Sequence, residues 1–209
     1  MGYSDAKQEP QPDLDERPTM TRYDRSQKEQ TRTRIVERAG RRLKSDGIDG
    51  SGVSALMKDA GLTNGAFYAH FGSKDELVAA AVSDQLRFQH DTIEALPDDR
   101  ASLDAFIADY LSPHHRDHPE DGCPSAALLS DVGRSKAVVR QAYTSSVIDI
   151  IDILATRIHV ADPSEARTRA IGLITVLVAT LQLARAVSDP AASDGILAAG
   201  RVNARHFLD

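Results

Sequence analysis

Asn64, Tyr68, His70 and Lys74 fall within one short stretch, LTNGAFYAHFGSKDELV (Leu62 to Val78), interleaved with Phe67 and Phe71. These types make no nucleophile and base pair. Their chemistry is hydrogen bonding, from an amide, a phenol, an imidazole and an ammonium. On a short helix, Phe67 and Phe71 are four residues apart and face inward with Leu62, while Asn64, Gly65, Tyr68 and Ala69 face outward. An amide at a helix N-terminus suits base edges in the major groove, where asparagine pairs with adenine through two hydrogen bonds. Gly65 lets the backbone come close to a partner. Tyr68 and His70 suit phosphate oxygens, and Lys74 adds a positive charge just past the helix.

A second chemically loaded stretch is SPHHRDHPEDGCPSAA, from Ser112 to Ala127. His114, His115, His118, Cys123, Asp117 and Asp121 are ligand types for zinc or another transition metal, but their spacing matches no tight zinc pattern. Read without a metal, the segment is a polar loop, and no metal or other cofactor is expected. Cys123 stands at a helix start, where the dipole favours thiolate. A partly buried, inert thiol is the alternative.

Short helices must present the first stretch. A first helix is expected over about 26–45, with Ile35, Ala39 and Leu43 at four-residue steps and Gly47 closing it. A second is expected over about 53–60, with Ser51 or Ser54 as candidate cap, and a third over about 63–71 capped by Thr63. Two short helices joined by a turn containing Gly61 form a helix-turn-helix, with Leu62, Val53, Leu56 and Met57 in its core. Ser73, with Glu76 three residues on, reads as a capping box opening a fourth helix. Further helices are expected near 99–112, 124–133, 136–159, 164–188 and 192–207. No strand alternation and no internal repeat occurs, so the fold class is all-α.

Three units are expected: a disordered tail over 1–21, a helix-turn-helix unit over 22–72, and a larger helical unit over 73–209. The tail is too poor in apolar residues to offset its ordering entropy. Charge divides the same way. The whole chain carries −6, yet Arg22 to Lys74 holds eleven Lys or Arg against six Asp or Glu. From Asp75 onward the count is twelve against twenty. A basic head on an acidic body points to an anionic partner at one end only. The single cysteine excludes an internal disulfide framework and suits a reducing cytoplasm, and no secretory leader is expected. Residues 170–187 are apolar nearly all round, but Thr175, Thr180 and Gln182 interrupt the run and Arg169 and Arg185 bound it. It is short for a membrane span, and a buried or subunit-pairing helix is expected instead.

The span from Arg34 to Leu77 resembles the DNA-binding domain of TetR-family transcriptional regulators. The matching pieces are Ile35 to Gly47, Ser51 with Val53, Ala60-Gly61-Leu62-Thr63, Gly65, Phe67-Tyr68, His70-Phe71 and Ser73 to Leu77. One departure is the bulky Met57 in the second helix, which bears on local packing. The resemblance implies a homodimer on a palindromic double-stranded DNA operator, acting as a repressor released by a small-molecule effector. It assigns Ser51, Val53, Thr63, Asn64, Gly65, Ala66, Tyr68, His70 and Lys74 to DNA, with Asn64, Gly65 and Ala66 at the bases. The last two long helices, including Ile196, Leu197 and Val202, would pair the subunits. The middle helices would enclose the effector, with Phe88, Phe106, Tyr110, Cys123, Leu128, Tyr143, Val147 and Ile150 as candidates. Gly122-Cys123 also resembles the place where some such regulators sense electrophiles or oxidants. An enzyme is not expected, because no nucleophile elbow, phosphate-binding glycine loop or paired metal-ligand histidines occur. The remaining alternatives are a redox, electrophile or metal sensor on the same fold, and a helical adaptor that has lost DNA binding.

Overall fold

The basic N-terminal sequence forms one long helix. In the computed structural model, residues 19–209 are described, with side chains from Arg25 onward. Helix α1 spans Thr19–Gly50, so it starts before the expected first helix; residues 1–18 of the expected tail lie outside the described residues. Gly47 adopts φ 75°, ψ 168° and kinks the ribbon before Ile48–Gly50, which is why glycine stands there. Ile35, Ala39 and Leu43 are fully buried on the face the four-residue spacing marks.

Helix α2, Val53–Asp59, starts from Gly52 with no side-chain cap, so neither Ser51 nor Ser54 plays that part. Ser51 is buried instead, its hydroxyl donating to the Gly47 carbonyl at 2.8 Å. Helix α2 closes with Gly61 at φ 72°. Leu62 N–H donates to Met57 O at 2.9 Å and Gly61 N–H to Lys58 O at 2.9 Å, the paired bonds of a glycine-terminated helix. Met57 is fully buried, so the bulk that departs from the family pattern is absorbed by the core.

Helices α3 (Lys74–Glu94), α4 (Arg100–Tyr110), α5 (Pro113–Asp117) and α6 (Pro124–Arg134) follow, then α7 (Ala137–Thr156), α8 (Pro163–Ala186) and α9 (Pro190–Arg205). Among the described residues there is no strand, and the fold is all-α. α3 runs from the head into the body, lying against α1 on one side and α7 on the other, and α8 packs along α9. Ser73 caps α3 by accepting from Glu76 N–H at 3.2 Å. The Glu76 carboxylate accepts from Gly72 N–H at 2.8 Å, one residue earlier than a standard capping box places it. Helix α8 is the one described helix long and apolar enough to cross a membrane. Here its Ala170, Leu173, Leu177 and Leu181 are buried inside the helical body.

Candidate nucleic-acid interface and effector cavity

The segment after the α2 turn is a 3-10 helix, Asn64–Ala69, where an α-helix with a Thr63 cap is expected from sequence. Thr63 makes no side-chain cap bond. Gly65 favours helix about 1 kcal/mol less than alanine, and six residues are too few to offset that by propagation. Tighter winding is the usual form of so short a piece. Phe67, 1% exposed, stacks on Phe71 with ring centroids 5.9 Å apart and anchors the inner face. On the outer face Thr63, Asn64, Gly65 and Tyr68 are exposed, with Tyr68 at 78%, while Ala66 and Val53 are half-buried.

His70 sits at the corner where this helix meets α1. Its Nδ1 is buried without a partner, which leaves Nε2 as the nitrogen able to reach outward. Desolvation first, then the charges of Lys28 and Arg32, lower its pKa, so it is neutral near pH 7. Arg32 lies 4.8 Å above the Phe71 ring. The exposed Lys28, Arg34 and Arg38 extend this positive edge along α1, an extent that the Leu62 to Val78 stretch alone does not reveal. Lys74 donates to the Ile48 carbonyl at 2.6 Å, tying α3 to the end of α1.

Behind the head lies a cavity of about 580 Å³, walled by α1, α3, α4 and the 112–124 segment. Of the sequence-derived effector candidates, Phe88, Phe106, Tyr110 and Cys123 line it, with Phe88 73% exposed at its edge. Leu128, Tyr143 and Val147 are not among its lining residues, and Ile150 is fully buried core. The Tyr143 hydroxyl is 3.0 Å from Ser125 Oγ. The Tyr110 hydroxyl is buried and has no partner.

The histidine-rich segment uses its groups within the protein. His115 Nδ1 lies 2.7 Å from the Tyr110 carbonyl, and its Nε2 accepts from Cys123 N–H at 2.9 Å. Both nitrogens are therefore spent on the neutral imidazole, and burial foremost lowers its pKa. Asp117 pairs with Arg116 and Asp121 with Arg41. Arg185 donates to the carbonyls of His115, Arg116 and Ala126, locking the segment onto α8. Among the described residues, the one convergent group of metal-ligand types is His90, Asp91 and Glu94 on the surface of α3, away from the histidine-rich segment.

Lys44 escapes a reading confined to charge. It is 6% exposed, and Gln85 Oε1 and the Gly122 carbonyl accept from its ammonium at 2.7 and 2.8 Å. Its signal was present: Val36, Gly40, Lys44 and Ile48 form a second four-residue register on α1, all buried. Ile48 N–H adds another bond across, to Asp131 of α6 at 3.0 Å.

A helix-turn-helix head with an exposed polar face, joined by α3 to a helical body, defines the class of DNA-binding regulators. Residues 35–81 match the model of the bacterial regulatory proteins of the tetR family, which covers the head and the start of α3. It is similar to the HTH-type transcriptional regulator LmrA of Bacillus subtilis, 22% identical over 66% of this chain and 77% of LmrA. It is also similar to the HTH-type transcriptional regulator TtgR of Pseudomonas putida, 32% identical over 41% of this chain and 40% of TtgR. Among solved structures, reduced Escherichia coli NemR shares the fold with a TM-score of 0.71 at 18% identity, covering 85% of this chain and 96% of NemR. A TetR-family regulator from Cytophaga hutchinsonii gives 0.69 at 17%, covering 86% and 96%. The chain is thus a transcriptional regulator and not an enzyme.

Proposed function

We propose that the protein is a cytoplasmic repressor that binds a palindromic operator as a homodimer and leaves it when a small molecule occupies the cavity. The observation that carries this reading is the outer face of the 64–69 helix, where Asn64, Gly65 and Tyr68 are exposed over a rigid Phe67–Phe71 anchor. In it, residues 22–72 are the DNA-binding unit and 73–209 the effector and pairing unit. Asn64, Gly65 and Ala66 approach base edges; Tyr68, through its hydroxyl, and His70, through Nε2, take phosphates. Thr63 and Val53 flank this face at the starts of their helices. Ser51 and Lys74 act from behind, holding the bend at Gly47 and the Ile48 carbonyl, with Lys74 close enough to add charge toward the backbone.

Pairing is supported by an uncharged exposed stripe at four-residue steps on α8: Ile171, Thr175, Ala179 and Leu183. Ala198, Ala199 and Val202 form a similar exposed, uncharged patch on α9. Leu197 packs inside the protomer, so it supports the patch from beneath. A two-fold dimer matches a palindromic site by symmetry. Modification of Cys123 is a second route to release, favoured by its thiol standing on the cavity wall.

The test is binding to duplex DNA from the region flanking the protein's own gene. Affinity falls steeply with salt, because neutralised phosphates release counterions. Tyr68→Ala weakens all duplexes alike by about tenfold, roughly 1.4 kcal/mol, whereas Asn64→Ala mainly relaxes preference at one base. Equal losses at every base from both changes would overturn these roles.

A further inference from the structure

Lys44 is the one buried lysine among the described residues, and its surroundings are unlike those of a structural ion pair. Its ammonium bonds two neutral acceptors, Gln85 Oε1 and the Gly122 carbonyl, and forms no ion pair among the described residues. The Asp121 carboxylate on the same cavity wall is engaged by Arg41. Gly40 makes this placement possible, since a Cβ there would stand 2.8 Å from Gln85 Cγ. Lys44 also lines the 580 Å³ cavity together with Phe106, Tyr110 and Cys123. The Tyr110 hydroxyl on the same wall is buried without a partner.

We infer that Lys44 is a covalent capture site for aldehydes, its ε-amine condensing with a carbonyl-bearing molecule in the cavity to form a Schiff base. Burial, the largest influence, lowers the Lys44 pKa from 10.5 to about 8, so a useful fraction of the amine is neutral at physiological pH. The Nζ lone pair forms the bond to the carbonyl carbon. The carbonyl oxygen takes up one N–H proton, and the carbinolamine then loses that oxygen as water together with the second N–H proton; nothing is oxidised or reduced. Phe88 and Phe106 favour an aromatic or aliphatic substituent over a charged one.

Capture has a mechanical consequence that rests on the repressor reading. An imine nitrogen carries at most one hydrogen and cannot hold both Gln85 and Gly122. The tie from α1 to α3 and the 112–124 segment is cut at the joint between head and body.

The experiment treats the full chain with benzaldehyde and sodium cyanoborohydride at pH 7.5, then maps the benzylated lysines by peptide mass spectrometry. Lys44 is expected to label about tenfold faster than Lys28, Lys58 or Lys136, with a rate that rises through about pH 8. Cys123→Ser keeps this labelling and Lys44→Arg abolishes it. Even labelling of all lysines, or labelling that spares Lys44, overturns the proposal, and neither result requires a variant to fold. Duplex affinity is measured on the same samples. Selective capture by a protein that never binds DNA refutes the repressor reading alone, while capture that leaves existing DNA affinity unchanged refutes the mechanical consequence.

Discussion

His70 shows how one side chain reports on an interface. In the free protein its pKa is lowered, first by desolvation and then by Lys28 and Arg32, so its imidazole is neutral near pH 7. A phosphate against Nε2 favours the imidazolium and raises that value. DNA binding then takes up a proton, and linkage requires affinity to strengthen as pH falls from the raised value in the complex toward the lowered value in the free protein. We expect a gain of about three- to fivefold between pH 7.5 and 6, a fraction of the tenfold-per-unit limit for one proton. Binding isotherms at the two pH values check it. His70→Gln retains a hydrogen-bond donor but cannot titrate, so its gain should vanish; an unchanged gain would remove His70 from the phosphate contacts.

At the scale of elements, the α8–α9 pair depends on close backbone approach at Gly200. Glycine inside an exposed helix is about 1 kcal/mol worse than alanine, so Gly200→Ala would ordinarily stabilise. Here an added Cβ would stand 2.2 Å from Thr180 Cγ2 and 2.6 Å from Thr180 Oγ1. Thr180 is β-branched and has little room to rotate away within a helix. Overpacking typically costs 1–3 kcal/mol, so the clash decides the sign. Gly200→Ala should lower the urea midpoint, with a net loss of up to about 2 kcal/mol of unfolding free energy. A raised midpoint would mean that the two helices separate at little cost. The head is held together differently: the two bonds of the Gly61 turn and the Phe67–Phe71 stack are local, which explains how a six-residue 3-10 helix stays in place.

For the whole molecule, the question is whether two heads can reach two half-sites at once. Leu183 is 55% exposed on α8, in line with Ile171, and would be buried in a pair. A glutamate there would carry an unpaired charge into the interface, and two symmetry-related copies would repel each other. Leu183→Glu should yield a monomer by analytical ultracentrifugation and lower operator affinity by at least about 100-fold through lost bivalency. Its denaturation should stay cooperative, because the residue lies outside the protomer core. A Leu183→Glu protein that remains dimeric would move the pairing face away from α8 and α9.

Local rules suffice where a feature is settled by neighbours in the chain. The four-residue spacing of Ile35, Ala39 and Leu43, the kink at Gly47, the left-handed turn at Gly61 and the Ser73 cap all follow from the sequence, because each depends on residues within one or two helical turns. So does the outward face of Asn64, Gly65 and Tyr68, since the phenylalanine spacing fixes which side is buried. The winding of that helix does not follow, because α and 3-10 forms share inward and outward positions over so few residues. The cavity is further out of reach. It joins α1, α3, α4 and the 112–124 segment, and an apolar residue has the same pattern whether it faces a cavity or a core. Packing alone put Phe88, Phe106, Tyr110 and Cys123 on its wall and left out Leu128, Tyr143 and Val147. The same packing converted Lys44 from one cation on a basic helix into a desolvated amine, because burial is a property of what other segments bring against a residue.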